Sequence, residues 1–153
     1  MVEGDGKTGQ AELIAAVVYW ASLLGVYLLE LALWYYPFKE KVFDDGLSAP
    51  DSIKEQFAGS FIDSFPGTSF SWAILGIFQG VVLVAVLMSL VSGEFLPQRR
   101  KPILLAALGL SLLVFALMLF GQNMTSQFDG VAGMFTYFGL TVVLMGFIRL
   151  LPP

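Results

Sequence analysis

Residues 72–91 read WAILGIFQGVVLVAVLMSLV, twenty positions from Trp72 to Val91 without a charge. At about 1.5 Å per residue, a helix of that length crosses the roughly 30 Å hydrocarbon core of a bilayer. The pattern returns twice downstream, because residues 103–121 and 131–148 are also free of charge. Upstream, AELIAAVVYWASLLGVYLLELALWYY runs from Ala11 to Tyr36 with Glu12 and Glu30 as its only charges. Long apolar blocks separated by charged connections are what lipid selects, since a helix satisfies its backbone polar groups internally. The sequence predicts an all-α membrane protein of one domain over residues 1–153. Its form is a four-transmembrane-helix antiparallel bundle, with spans about 11–36, 72–91, 103–121 and 131–148.

Composition agrees. The chain is 57 % hydrophobic and 13 % charged, against about 45–50 % and about 25 % in soluble domains. It has no cysteine and no histidine. That excludes disulfides, thiol nucleophiles, iron–sulfur clusters, Cys/His zinc sites, imidazole triads and the common haem ligands. No lysine lies within a span, so a retinal Schiff base is excluded, and no glycine-rich phosphate loop points to a nucleotide-driven machine. The net charge of −4 and the lack of a long basic block leave nucleic acid out as a partner. No cofactor or metal is predicted from the residues themselves. The amino-terminal stretch holds more acid than base, and the apolar block after it exceeds the about 7–15 residues of a signal core. The first helix is expected to be retained.

The connections 92–102 (SGEFLPQRRKP) and 122–130 (QNMTSQFDG) are short and polar, which forces neighbouring helices to run antiparallel. Residues 37–70 form the long, outer connection. Pro37 is expected to stop the first helix, with Trp34, Tyr35 and Tyr36 as an aromatic belt at the water interface. Within the connection, Ser52 and Glu55 make an S-x-x-E capping box after Pro50, and Pro66-Gly67 ends the segment. The stripe Ile53, Phe57, Phe61 and Phe65 makes this a short amphipathic helix over about 52–64, lying in the interface or capping the bundle.

Basic residues set the orientation. Arg99, Arg100 and Lys101, with Lys7 and Arg149, lie on the side of the two termini, against Lys39, Lys41 and Lys54 on the other. The positive-inside rule predicts a multi-pass protein of the cell (plasma) membrane, with both termini cytoplasmic and the phenylalanine-rich loop outside.

Glu30 is the most informative polar position. An ionisable group at the bilayer centre costs about 2.5–3.5 kcal/mol on insertion scales and is a functional candidate by default. It shares a face with Glu12, Ala16, Tyr19, Leu23, Val26 and Trp34. One reading is a proton- or cation-binding site facing the bundle interior. The other is an interfacial acid, six residues from Tyr36, paired with Lys39, Lys41 or a tyrosine hydroxyl. In the second span, Gly76 and Gly80 form a GxxxG motif around Gln79. Such glycines let helix backbones approach, within the molecule more often than in a dimer seam, and a glutamine can hydrogen-bond across the contact. Gln122 and Asn123 begin a polar run at the outer end of the third span. Asn123-Met124-Thr125 matches a glycosylation sequon, expected to go unused so close to the membrane.

Three stretches carry a family resemblance. The first span ends in Leu33-Trp34-Tyr35-Tyr36-Pro37-Phe38-Lys39, the second leads into Phe95-Leu96-Pro97-Gln98-Arg99-Arg100, and the last ends in Gly146-Phe147-Ile148-Arg149. This layout resembles the DoxX-like family of small four-helix membrane proteins. Some members are subunits of membrane thiosulfate:quinone oxidoreductases and others associate with redox or oxidative-stress enzymes. Members often carry an acidic residue in the second span, where this chain has Gln79. The resemblance thus implies the architecture, and quinone as the one cofactor to consider, but no catalytic residue.

Three functions follow. The preferred one is a non-catalytic membrane subunit or assembly partner, embedded in the lipid bilayer within a larger membrane complex or homo-oligomer. It expects Gly76 and Gly80 to face lipid or a partner. The second is a small proton-coupled carrier or channel using Glu30, with Gln79 and the Gln122–Asn123 end as further polar steps. The third, a quinone-linked oxidoreductase subunit, rests on the resemblance alone.

Overall fold

A computed structural model describes residues 5–151. Pro152, Pro153 and the side chain of Lys7, used in the charge count above, lie outside the described residues. The chain is an all-α, four-helix membrane bundle. Its long helices are α1 (Asp5–Lys39), α4 (Thr68–Val91), α5 (Pro102–Met124) and α6 (Phe128–Leu150), with two short helices, α2 (Asp51–Phe57) and α3 (Phe61–Ser64), in the first connection. Four helices are long and apolar enough to cross a membrane, so this is a multi-pass membrane protein.

Each long helix packs on its neighbour in sequence: α1 on α4, α4 on α5 and α5 on α6. The core lies along the α1–α4–α5 seam, where Leu23, Val26 and Trp34 meet Val82, Val86, Leu104 and Leu108. On α1 the buried positions Leu23, the adjacent pair Val26 and Tyr27, Glu30 and Trp34 recur every three to four residues, one stripe of an α-helix. The same face is exposed earlier, at Glu12 and Ala16. There α1 has passed the end of the bundle. Helix α6 is peripheral, and Thr141 and Ile148 are its only buried side chains.

Helices in lipid gain little from hydrophobicity and much from close backbone approach. The two glycines of α4 supply it. A Cβ on Gly80 would stand 2.6 Å from the Phe38 ring, and one on Gly76 would stand 3.0 Å from Lys41 Cβ. Both glycines are buried against α1 and its continuation, the packing within the molecule that such a motif favours, and neither faces lipid or a partner as the subunit reading expected. The motif is used inside the molecule.

Pro37 does not stop the first helix. Helix α1 runs through it to Lys39 and continues as one π-helical turn, Glu40–Asp44. A proline removes one backbone bond, which packed neighbours tolerate in a membrane helix. The widened turn aims Lys41 inward, where its ammonium lies 3.8 Å from the centre of the Trp72 ring. Lys39 is left outside with Asp44 at 2.8 Å.

The expected 52–64 helix is two helices. Ser52 makes no cap: α2 starts after Pro50 with no side-chain bond to its first turn. The Ser-x-x-acid cap forms later, where Ser60 accepts from the Asp63 amide at the start of α3. Gly59, at φ +74°, makes the break between them. The phenylalanine stripe divides accordingly. Phe57 packs on the bare backbone of Gly121 and Gln56 donates to Thr125 Oγ1 at 3.0 Å, so α2 caps the end of α5. Phe61 and Phe65 remain exposed, as a lipid-interface surface requires.

Candidate functional site

Glu30 is completely buried. Its partners are neither lysines nor tyrosines. Trp34, one turn along α1, donates its indole N–H to Glu30 Oε2 at 2.9 Å. Ser111 of α5 lies 2.9 Å from the same oxygen. Ser111 stands near the middle of the charge-free run 103–121, eight residues after Ile103 and ten before Gly121. At about 1.5 Å per residue, roughly 12 Å of apolar helix separates it from the nearer end. Glu30 therefore sits at mid-depth, and the interfacial reading does not hold. Trp34, expected in an aromatic belt, is 1 % exposed and belongs to this site, whereas Tyr35 and Tyr36 do face outward.

The hydrogen count at this site is incomplete. Ser111 has one hydroxyl hydrogen, and both Glu30 Oε2 and the Ala107 carbonyl, at 3.0 Å, lie within its reach. Trp34 N–H also lies 3.0 Å from Ser111 Oγ. Glu30 Oε1 has no partner at all, and among the described residues the only other such buried side-chain atom is Gln79 Oε1. An unsatisfied buried polar atom costs about 1–3 kcal/mol, so both oxygens are places where a donor is missing.

Gln79 does not join Glu30. Its amide approaches Met118 Sδ at 3.9 Å, a weak contact two helical turns along α5 from Ser111. Between the two levels, Trp34 and Phe115 pack with ring centres 4.8 Å apart, and Tyr137 of α6 stacks on Phe115 from behind. Gln122 and Asn123 lie further out, on the last turn of α5. Gln122 fills the space beside the bare Gly130 backbone, and Asn123 is exposed. The structure thus brings Glu30, Trp34 and Ser111 together, and leaves Gln79, Gln122 and Asn123 apart from them.

A second buried polar cluster was not foreseen. One turn before Glu30, Tyr27 Oη lies 2.7 Å from Ser89 Oγ on α4. Ser89 donates to Glu94 Oε2 at 2.8 Å. Glu94 in turn accepts the amides of Ile103, on Oε1 at 2.9 Å, and Leu104, on Oε2 at 2.8 Å. It thereby satisfies two of the free N–H groups that begin α5, where a carboxylate is favoured. Sequence carried a faint signal: Tyr27 lies three residues before Glu30, and Ser89 and Ser111 are isolated hydroxyls in charge-free spans. The basic turn closes that end. Lys101 is buried, donates to the Arg99 carbonyl at 2.9 Å and lies 5.5 Å from the Tyr19 ring centre, while Arg99 and Arg100 stay exposed.

Two shallow apolar grooves run along the outer face of α4 and share Val84. Neither is lined by Glu30 or Gln79. No group of metal-binding side chains occurs among the described residues. Comparison with known families, curated proteins and solved structures gives no match.

Proposed function

We propose that this chain is a non-catalytic membrane subunit, an assembly partner within a larger membrane complex. One observation carries the reading. Helix α1 has 35 residues where its neighbours have 23 or 24, so it is about 17 Å longer. Its contact with the 92–102 loop falls at Tyr19, whose hydroxyl lies 3.5 Å from the Phe95 carbonyl. From Gly9 to Val18 every residue is exposed, including Leu13 at 65 % and Val17 at 58 %. Three helical turns of mostly apolar side chains thus extend beyond the bundle, every one of them exposed among the described residues. A second protein packing there would complete the helix.

The DoxX-like resemblance supports the same reading, with a redox complex as the host. The Arg99–Arg100 pair supports plasma-membrane insertion with both termini cytoplasmic. No residue of the chain is assigned a catalytic role.

The test is a photocrosslinking amino acid at Leu13 or Val17, with Val84 as the lipid-facing comparison. One defined membrane protein, or a second copy of this chain, should be captured stoichiometrically from the first two sites. A protein that stays a discrete monomer in mild detergent and gives only lipid adducts at Leu13 and Val17 is not an assembly subunit.

A further inference from the structure

We propose that Glu30 is a proton-binding site in exchange with one side of the membrane only, the side of the 92–102 loop, through Tyr27, Ser89 and Glu94. The proposal does not depend on the subunit reading, since a site of this kind can operate within or without a complex.

Three observations carry it. Glu30 sits at mid-depth with Oε1 buried and unpartnered, so the carboxyl has a free position for a proton or a donor. Towards the 92–102 loop, hydroxyls and a carboxylate are bonded in series, Tyr27 to Ser89 at 2.7 Å and Ser89 to Glu94 at 2.8 Å. Towards the opposite side, the tilted Trp34–Phe115 pair fills the seam with ring centres 4.8 Å apart, and the next polar group beyond it, Gln79, makes no bond to Glu30 or Ser111. The route is polar on one side and aromatic on the other.

Hydrogen bookkeeping fixes its resting direction. Two backbone amides donate to Glu94, so its oxygens accept, and the hydrogen of Ser89 points to Oε2. Ser89 must then accept from Tyr27. The chain is oriented to carry a proton from Glu30 to Glu94. In that transfer the Glu30 O–H bond breaks and a new O–H bond forms at Tyr27 Oη. Tyr27 passes its original hydrogen to Ser89 Oγ, Ser89 passes its own to Glu94 Oε2, and Glu94 gains the proton. Each hydroxyl ends with one hydrogen, and Glu30 ends as carboxylate. Uptake is the reverse, after both hydroxyls turn.

Two steps have no bond at rest, the one between Tyr27 and Glu30 and the exchange of Glu94, itself 5 % exposed, with the water beside the 92–102 loop. The Tyr27 and Glu30 side chains are three apart on one helix face, where Cβ atoms lie about 5–6 Å from each other, and the transfer requires the Glu30 carboxyl and the Tyr27 hydroxyl to turn towards each other. The polar groups in contact with Glu30 are Trp34 on α1 and Ser111 on α5; Tyr27 on α1 and Ser89 on α4 come next towards the 92–102 loop, and Gln79 on α4 lies past the aromatic pair on the other side. Glu94 and Lys41 lie beyond them, on opposite sides.

The experiment is infrared spectroscopy of the full chain in lipid vesicles during exchange into deuterium oxide. A carboxylic C=O band lost in Glu30→Gln identifies the protonated site. Its deuterium shift should slow by about tenfold or more in Tyr27→Phe and in Ser89→Ala, equivalent to at least roughly 1.4 kcal/mol on the barrier. In Gln79→Leu, beyond the aromatic pair, the rate should stay within about twofold of the parent, a barrier change under roughly 0.5 kcal/mol. Ser89→Ala decides the matter if Tyr27→Phe does not fold. Absence of a Glu30 band at every pH where the protein stays folded overturns the site. Equal exchange rates in the parent and the folded Tyr27 or Ser89 variant, or slowing in Gln79→Leu, overturn the route.

Discussion

Glu30 and Ser111, 81 positions apart in the chain, meet at 2.9 Å halfway through the bundle. The contact joins α1 to α5, and among the described residues it is the only polar bond between those two helices apart from the Trp34–Ser111 contact beside it. Removing the hydroxyl with Ser111→Ala should lower stability in detergent by about 1 kcal/mol, the usual scale for a hydrogen bond within a membrane bundle. A double-mutant cycle with Glu30→Leu, which leaves no acceptor, should show coupling of similar size. Additive effects in reversible unfolding would mean that the pair is adjacent without being bonded.

Gly80 and Gly146 should behave oppositely. A methyl group on Gly80 meets the Phe38 ring at 2.6 Å, whereas nothing lies within 4 Å of one on Gly146. Gly80→Ala should cost about 1–3 kcal/mol through overpacking, with partial recovery in Gly80→Ala/Phe38→Leu. Gly146→Ala should leave the monomer's stability unchanged. Thermal unfolding in one detergent reads both, and a stable Gly80→Ala would show that α1 and α4 are not in close contact there.

Glu94 holds the start of α5 from eight residues upstream of its first helical position. Replacing it with alanine should free the Ile103 and Leu104 amides and cost about 1–2 kcal/mol, as the loss of a cap does. Hydrogen exchange at these two amides should rise well above that of Ala107, deeper in the same helix. Unchanged protection at Ile103 and Leu104 would show that Glu94 does not cap the helix.

The native chain contains no cysteine, so single cysteines report topology without interference. Gln98→Cys and Ser60→Cys, on opposite connections, should react with an impermeant maleimide from opposite faces of sealed vesicles. Labelling of both from one face would contradict a four-span arrangement.

Periodicity and polarity made the spans legible, because lipid imposes its demand on each segment separately: a run of apolar residues must be helical and about 20 long whatever surrounds it. The same reasoning set Pro37 and Trp34 wrongly. A proline is read as a stop from its own missing N–H, but whether the helix ends depends on the neighbours that support it. A tryptophan near a span's end is read as an interface anchor, yet Trp34 turns inward because it shares the Glu30 stripe and Ser111 offers it a partner.

From the sequence alone came the number of membrane spans, their antiparallel order and the presence of an acid within the first span, since these follow from local solvation and chain connectivity. Only the tertiary structure decided the depth of Glu30, its separation from Gln79 and the joining of Tyr27, Ser89 and Glu94. Those depend on how far α1 slides along α4 and α5, and that offset is set by the fit of Phe38 and Lys41 over two bare glycines, a matter of shape that no single segment encodes.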